Sequence, residues 1–272
     1  MNHGCGSSAA IRDDGIRRIA FYGKGGIGKS TTASNVSAAM ADLGLRVMQI
    51  GCDPKADSTS LLAPGKRSKT ILECIDEDRR DLDAMTAEGY GGVICAECGG
   101  PRPGTGCAGR GIIVAFEILE ELGAVRTYRP DVIIYDVLGD VVCGGFAMPI
   151  RNGYAKDIFL VTSGEAMSVF AAKNIALAVD DMKQMGYARL GGIIQNSKGM
   201  ESEDSLVDKA AADIGTDVLI RIPRSGTVHE CESEGTTVIQ GRPNSAQAAC
   251  YRRLASEILA RTEGAAGCMR QE

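Results

Sequence analysis

The sequence has no tryptophan, and aromatic residues make up only 4% of its 272 positions. So sparse a set of flat rings excludes an extended surface on which bases stack. Positive charge is not in excess either: 30 Lys and Arg stand against 35 Asp and Glu, a net charge of -5. A chain of that sign offers no electrostatic footprint for nucleic acid or an anionic membrane, so neither is expected as a partner. No apolar run comes near the ~20 residues needed to cross a bilayer. Residues 1–16 are polar and glycine-rich with no apolar leader segment. The expectation is a soluble, cytoplasmic protein. In that reducing setting the ten cysteines read as metal ligands or buried side chains rather than disulfides.

What is present points to a nucleotide. A hydrophobic content of 44% supports one large core, and 35 glycines fit a loop-rich sheet. There is no internal repeat and no linker. The expected organisation is an N-terminal arm over residues 1–16, one domain over 17–262 and a short tail over 263–272. Between an apolar strand and a helix-forming run stands Gly23-Lys24-Gly25-Gly26-Ile27-Gly28-Lys29-Ser30-Thr31. Closely spaced glycines let backbone N–H groups turn inward on phosphates, and the helix that follows points its positive end at the same anion. Lys29 supplies charge for the β and γ phosphates, and Ser30 a hydroxyl for nucleotide-bound magnesium. Lys24, a second cation inside the loop, resembles the deviant Walker A group of dimeric ATPases, in which this lysine reaches the partner subunit's nucleotide.

Strand and helix patterns then alternate: strands near 17–22, 46–51, 131–136, 158–162, 190–195 and 218–222, and helices near 29–43, 112–122, 166–185, 205–214 and 245–259. This predicts an α/β fold, a single-domain P-loop NTPase with a mainly parallel, helix-covered sheet. From 60 to 100 the pattern is poor; a short helix near 70–76 and a solvated charged face over 77–83 are all it offers, and Gly104 to Gly111 reads as a loop. Asp53 and Asp57, with Lys55 between them, follow the second strand at the ligand-binding edge of such a sheet. They read as a switch that positions water and magnesium. Asp136 ends an apolar strand in a Walker B pattern, and Asp140 follows it.

Cys107 and Cys143 are each set among glycines. Glycine around a thiolate suits an iron-sulfur cluster, because backbone N–H groups can reach the sulfurs. A cubane cluster needs four thiolates. Either a homodimer shares one cluster through Cys107 and Cys143 of each chain, or one chain holds it with Cys95, Cys98, Cys107 and Cys143. Cys143 lies seven residues after Asp136, at most about 24 Å of extended chain. Nucleotide state and cluster are thereby linked.

These stretches, with Gly51 to Ser58, Gly99 to Gly111, Tyr135 to Arg151 and Gly191 to Ser197, closely resemble the nitrogenase iron protein family. The resemblance implies a homodimeric ATPase with one bridging [4Fe-4S] cluster. Such an ATPase passes low-potential electrons to a larger nitrogenase-like heteromer as MgATP is hydrolysed, and a ferredoxin or flavodoxin supplies the electrons. By position it makes Cys107 and Cys143 the cluster ligands and gives Lys24, Asp53 and Asp140 roles in hydrolysis. Asp53 and Asp57 match the first switch, Asp136 and Asp140 the second. Asn196 and the segment with Pro223, Arg224 and Glu232 match the adenine pocket, and Arg110 a surface arginine that some relatives ADP-ribosylate.

Cys98 stands where the family has a small residue, and is expected to be packing. His229 stands where a glutamine is expected. The short tail and the arm favour a nitrogenase-like system such as methylthio-alkane reductase over dinitrogen reduction. The competing class is a cluster-free positioning or partitioning ATPase of the same fold. A scaffold that assembles clusters would place its cysteine pair late in the chain, where Cys231, Cys250 and Cys268 are too far apart.

Overall fold

The computed structural model describes residues 14–65, 69–100, 108–139, 148–184 and 188–262. Its frame is an eight-stranded sheet in the order β3-β4-β2-β5-β1-β6-β7-β8. The strands are β1 (Arg17–Tyr22), β2 (Val47–Gly51), β3 (Thr86–Glu88), β4 (Ile94–Glu97), β5 (Val132–Asp136), β6 (Asp157–Thr162), β7 (Arg189–Asn196) and β8 (Val218–Ile222). All neighbours pair parallel except β3, an antiparallel edge on β4. The central strands β1, β2, β5 and β6 are almost wholly buried, as near-continuous apolar runs must be when helices cover both faces.

The helices are α1 (Lys29–Asp42), α2 (Ile71–Asp76), α3 (Leu82–Met85), α4 (Ala108–Glu121), α5 (Ala124–Tyr128), α6 (Met148–Arg151), α7 (Ala166–Gln184), α8 (Glu203–Ile214), α9 (Gly226–Ser233), α10 (Val238–Gly241) and α11 (Ala246–Arg261). Two apolar cores result. One joins α4 and α7 to one side of the sheet through Ile112, Phe116, Ile175 and Val179. The other joins α1 and α11 to the opposite side through Val36, Met40, Leu254 and Ile258.

Two expectations are corrected, and a third is refined. β3 and β4 lie in the stretch where no strand was expected, because four residues between glycine pairs carry too short a period to read. Residues 108–111 are the first turn of α4 rather than loop; two glycines there mask the helical pattern that Ile112 and Phe116 carry. The charged face over 77–83 is exposed save for half-buried Leu82, which with Asp83 opens α3, its first turn capped by the Asp81 carboxylate accepting from the Ala84 N–H. The N-terminal arm over 1–13, the tail over 263–272, Cys107, Asp140 and Cys143 lie outside the described residues.

Candidate functional site

β1 delivers the glycine loop to the edge of the sheet, and α1 leaves from it. Gly28 caps α1 at φ 96°, a left-handed backbone that glycine adopts without strain. A Cβ there would also run into Asn196 Nδ2, which donates to the Ile27 carbonyl at 2.7 Å. Gly25 and Gly26 are exposed, Lys24, Gly28 and Ser30 half-buried, and Gly23, Ile27 and Lys29 buried. Lys29 Nζ donates to the Lys24 carbonyl at 3.1 Å, so the ammonium already lies against the inner rim of the loop.

The parallel register fixes what surrounds it. Asp136, the last residue of β5, stands level with Phe21 of β1 and Gly51 of β2, midway between the glycine loop and the first switch. It is 3% exposed, and its Oδ1 has no protein partner. Burial raises its pKa, against hydrogen bonds from Ser30 and Ser58 and the charge of Lys29. An orphaned carboxylate oxygen beside the Ser30 hydroxyl and a lysine is the donor set that a magnesium nucleotide requires. MgATP fits these residues.

The segment that follows β2, expected to act as the first switch, is held at its root. Asp53 turns back on itself, its Oδ1 accepting from the Lys55 N–H at 2.9 Å. Lys55 and Asp57 are exposed and Asp53 half-buried. Below them the Ser58 carbonyl accepts from Ser34 Oγ of α1 at 2.8 Å and from Gln49 Nε2 of β2 at 3.0 Å. Gly139, between Asp136 and Asp140, is packed on the glycine loop: a Cβ there would meet the Gly23 carbonyl and lie 2.6 Å from the Gly25 nitrogen.

The residues expected to form the adenine pocket come from three elements. Asn196 ends β7 level with Ile222 of β8. Pro223 and Arg224 follow β8 on the surface, Arg224 donating to the Lys198 carbonyl at 3.4 Å. Glu232 on α9 accepts from Thr31 Oγ1 at 2.6 Å, which ties this segment to α1. His229 is exposed on α9, and Arg110 is exposed on the first turn of α4.

The cysteines divide clearly. Cys95 and Cys98 sit on opposite sides of the sheet, in different cores, as residues an odd number apart on a strand must. They do not converge as a ligand pair. Cys98 packs beside Cys52. Among the described residues no three His, Cys, Asp or Glu side chains gather as a metal site.

Two carboxylates were missed. Glu203 collects the N–H groups of Gly164, Lys198, Gly199 and Met200 at 2.9 to 3.4 Å. Burial works to raise its pKa, and these donors outweigh it and lower the value. Glu97, which ends β4, is 5% exposed; burial pushes it up to about 7, against two hydrogen bonds from Thr59 and with repulsion from Asp136 and Asp57. Glu97 is aimed by the pairing of β4 with β2, and Glu203 by its place at the start of α8, where the turn after β7 brings the N–H groups of Lys198 to Met200 onto it.

Comparison with known proteins places the chain. Residues 17–267 match the family described as 4Fe-4S iron sulfur cluster binding proteins, NifH/frxC family. The chain is 51% identical over 253 residues to the nitrogenase iron protein of Methanospirillum hungatei, covering 91% of this chain and 89% of that one. It is 50% identical over 249 residues to nitrogenase iron protein 2 of Methanothermobacter thermautotrophicus, covering 91% of each. Among solved structures, the cell division ATPase MinD of Pyrococcus furiosus superposes with a TM-score of 0.69 at 20% identity, covering 90% of this chain and 99% of that one. A ParA family ATPase from Chlorobium tepidum does so at 0.67 and 20%, covering 89% and 99%. These two share the single-domain P-loop fold. The family match spans the glycine loop, Asp53 to Asp57, Asp136 and the stretch from Asn196 to Glu232, and the chain belongs to the NifH/frxC family of 4Fe-4S iron-sulfur cluster binding proteins.

Proposed function

We propose that this chain is the ATP-driven electron-donor component of a nitrogenase-like system. It acts as a cytoplasmic homodimer with one [4Fe-4S] cluster held by Cys107 and Cys143 of each subunit. The cluster supplies a low-potential electron, and the residues described above gate its delivery. Gly23 to Thr31 hold the phosphates, Ser30 and Asp136 the magnesium side, and Asn196, Pro223, Arg224 and Glu232 the adenine side. Lys24 reaches the partner's nucleotide, while Asp53 and Asp140 direct the attacking water. A ferredoxin or flavodoxin refills the cluster. Arg110, exposed at the start of α4, is open to modification.

One observation carries the reading. Gly139 lies against the backbone of the glycine loop, and Cys143 follows four residues later. Loss of a γ-phosphate that shifts the loop therefore displaces the segment leading to that cysteine. Of the six described cysteines, Cys52, Cys74, Cys95, Cys98, Cys231 and Cys250, no three gather with one another or with other ligand side chains, which supports Cys107 and Cys143 as ligands.

For the acceptor, the finer reading is methylthio-alkane reductase. Relatives named nitrogenase iron protein at 50 and 51% identity favour a second, donation to dinitrogenase. Reconstitution with each catalytic component separates them by product. The primary test is iron content per dimer with EPR of the reduced protein, with and without MgATP. About four irons and a signal that changes with MgATP are expected. No iron after anaerobic reconstitution overturns the reading in favour of a cluster-free positioning ATPase.

A further inference from the structure

Glu97 has no role in the nucleotide chemistry just described, yet it joins two functional segments. Its Oε1 accepts from both the backbone N–H and the hydroxyl of Thr59, at 2.7 and 2.6 Å. Thr59 directly follows the Gly51 to Ser58 stretch that holds Asp53 and Asp57. The other oxygen, Oε2, has no partner and lies over Gly51, where a Cβ would sit 2.7 Å from Glu97 Cδ and 2.7 Å from Ser58 Cβ. Gly51 is level with Glu97 on one side and Asp136 on the other. Its missing side chain makes the room in which the two carboxyl groups face each other.

A second fastening lies three residues on. A Cβ on Gly100 would come 2.6 Å from Pro54 Cβ, so the exit of β4 also abuts the start of the switch. Residues 97–100 thus clasp residues 54–59 at both ends. Between the clasps stand Lys55 and Asp57, beside a cavity of about 350 Å³ lined by Lys55, Asp57, Thr59, Ser60 and Glu97 among others. The cavity gives the switch space to move.

A purely structural reading would make Glu97 a cap for Thr59. The bonds from Thr59 need only a side-chain oxygen, which glutamine also supplies. What exceeds a cap is where that oxygen stands, at the head of the chain running to Cys107, ten residues away.

We propose that Glu97 is a positioning residue that makes the first switch and the β4 exit move as one body, carrying nucleotide-driven motion toward Cys107. This rests on the nucleotide reading of the glycine loop. It adds a second line of transmission, separate from the one through Gly139 to Cys143. The two cysteines are then driven by different switches.

The test is hydrogen exchange on the anaerobic holo dimer, nucleotide-free and with MgADP, followed in peptides covering 22–32, 52–60 and 94–100. In the wild-type protein MgADP slows exchange in all three. In Glu97→Ala and Thr59→Val the slowing persists at 22–32 and 52–60 but falls about tenfold at 94–100, and Glu97→Gln restores it. Undiminished slowing at 94–100 in both Glu97→Ala and Thr59→Val overturns the coupling. So does wild-type slowing at 22–32 with none at 94–100. No slowing at 22–32 in the wild type overturns the nucleotide reading itself, and the coupling with it.

Discussion

Replacing Glu97 by glutamine isolates the cost of the buried carboxyl, because the amide oxygen keeps both bonds from Thr59. Burial raises the Glu97 pKa from its ordinary 4.5 to about 7. The folded chain therefore holds this proton more tightly than the unfolded chain. The resulting contribution to stability is fully present below pH 4.5 and is lost as pH rises through about 7. The gap corresponds to about 3 kcal/mol. Glu97→Gln has no such proton to lose, so its stability relative to wild type should climb by about 3 kcal/mol across that window and stay level above it. Asp136, also raised by burial, contributes in the same direction in both proteins. It largely cancels from the difference. The assay is anaerobic, nucleotide-free urea unfolding of both proteins at pH 5, 6, 7 and 8, at one protein concentration because a dimer's stability depends on it. A stability difference that does not change with pH would show that Glu97 titrates as an ordinary surface carboxyl, and the burial argument would fail.

Gly139→Ala drives a methyl group into the Gly23 carbonyl and the Gly25 nitrogen. Overpacking of about 1 to 3 kcal/mol should weaken nucleotide binding roughly tenfold or more, and unchanged affinity by calorimetry would dissociate the second switch from the loop. Cys143→Ser should lose the cluster from the dimer, read as iron content; retention of about four irons would require ligands other than the shared pair. Asp140→Asn should leave nucleotide binding intact while separating hydrolysis from electron delivery, and tight coupling in that variant would count against its switch role. Glu203→Gln turns an amide N–H toward backbone N–H groups. It should cost about 2 kcal/mol at pH 7. Because those donors lower the Glu203 pKa, the wild-type advantage should shrink as pH falls below the carboxylate range, and thermal unfolding at pH 7 and 4 would expose a deficit that does not.

The residues that touch phosphate were legible because their chemistry is local. A glycine loop between a strand and a helix needs only nine consecutive positions, and β1 and α1 stand where its neighbours predict them. Asp53 and Asp136 were legible for the same reason: each follows an apolar strand, and parallel strands end at one edge. What failed were β3 and β4, three and four residues long; β4 pairs with β2 and β3 with β4, and both pairings are set by tertiary contact. With β4 went Glu97. A carboxyl two residues before Gly99-Gly100 carries no signal of burial, and only the level alignment of Gly51 with Glu97 and Asp136 reveals the pair. The Cys95 to Cys98 spacing was metal-competent as sequence; strand alternation turns the two sulfurs to opposite faces.

Strand order explains why an electron donor could be built on this fold. Cys107 follows β4 and Cys143 follows β5, far apart in sequence, but β4 and β5 are the two neighbours of β2. Adjacent strands are about 4.8 Å apart, so the two exits leave the sheet roughly 10 Å from each other, with the first switch rising between them from the end of β2. The glycine loop leaves β1, one strand beyond β5. Any element that senses the γ-phosphate at that edge must pass beside one exit or the other. Gly139 does so on the β5 side, against the loop, and Pro54 and Thr59 do so on the β4 side, against Gly100 and Glu97. Coupling of nucleotide to cysteine therefore needs no long relay through the core. It follows from placing two cysteine-bearing segments on the strands that flank β2.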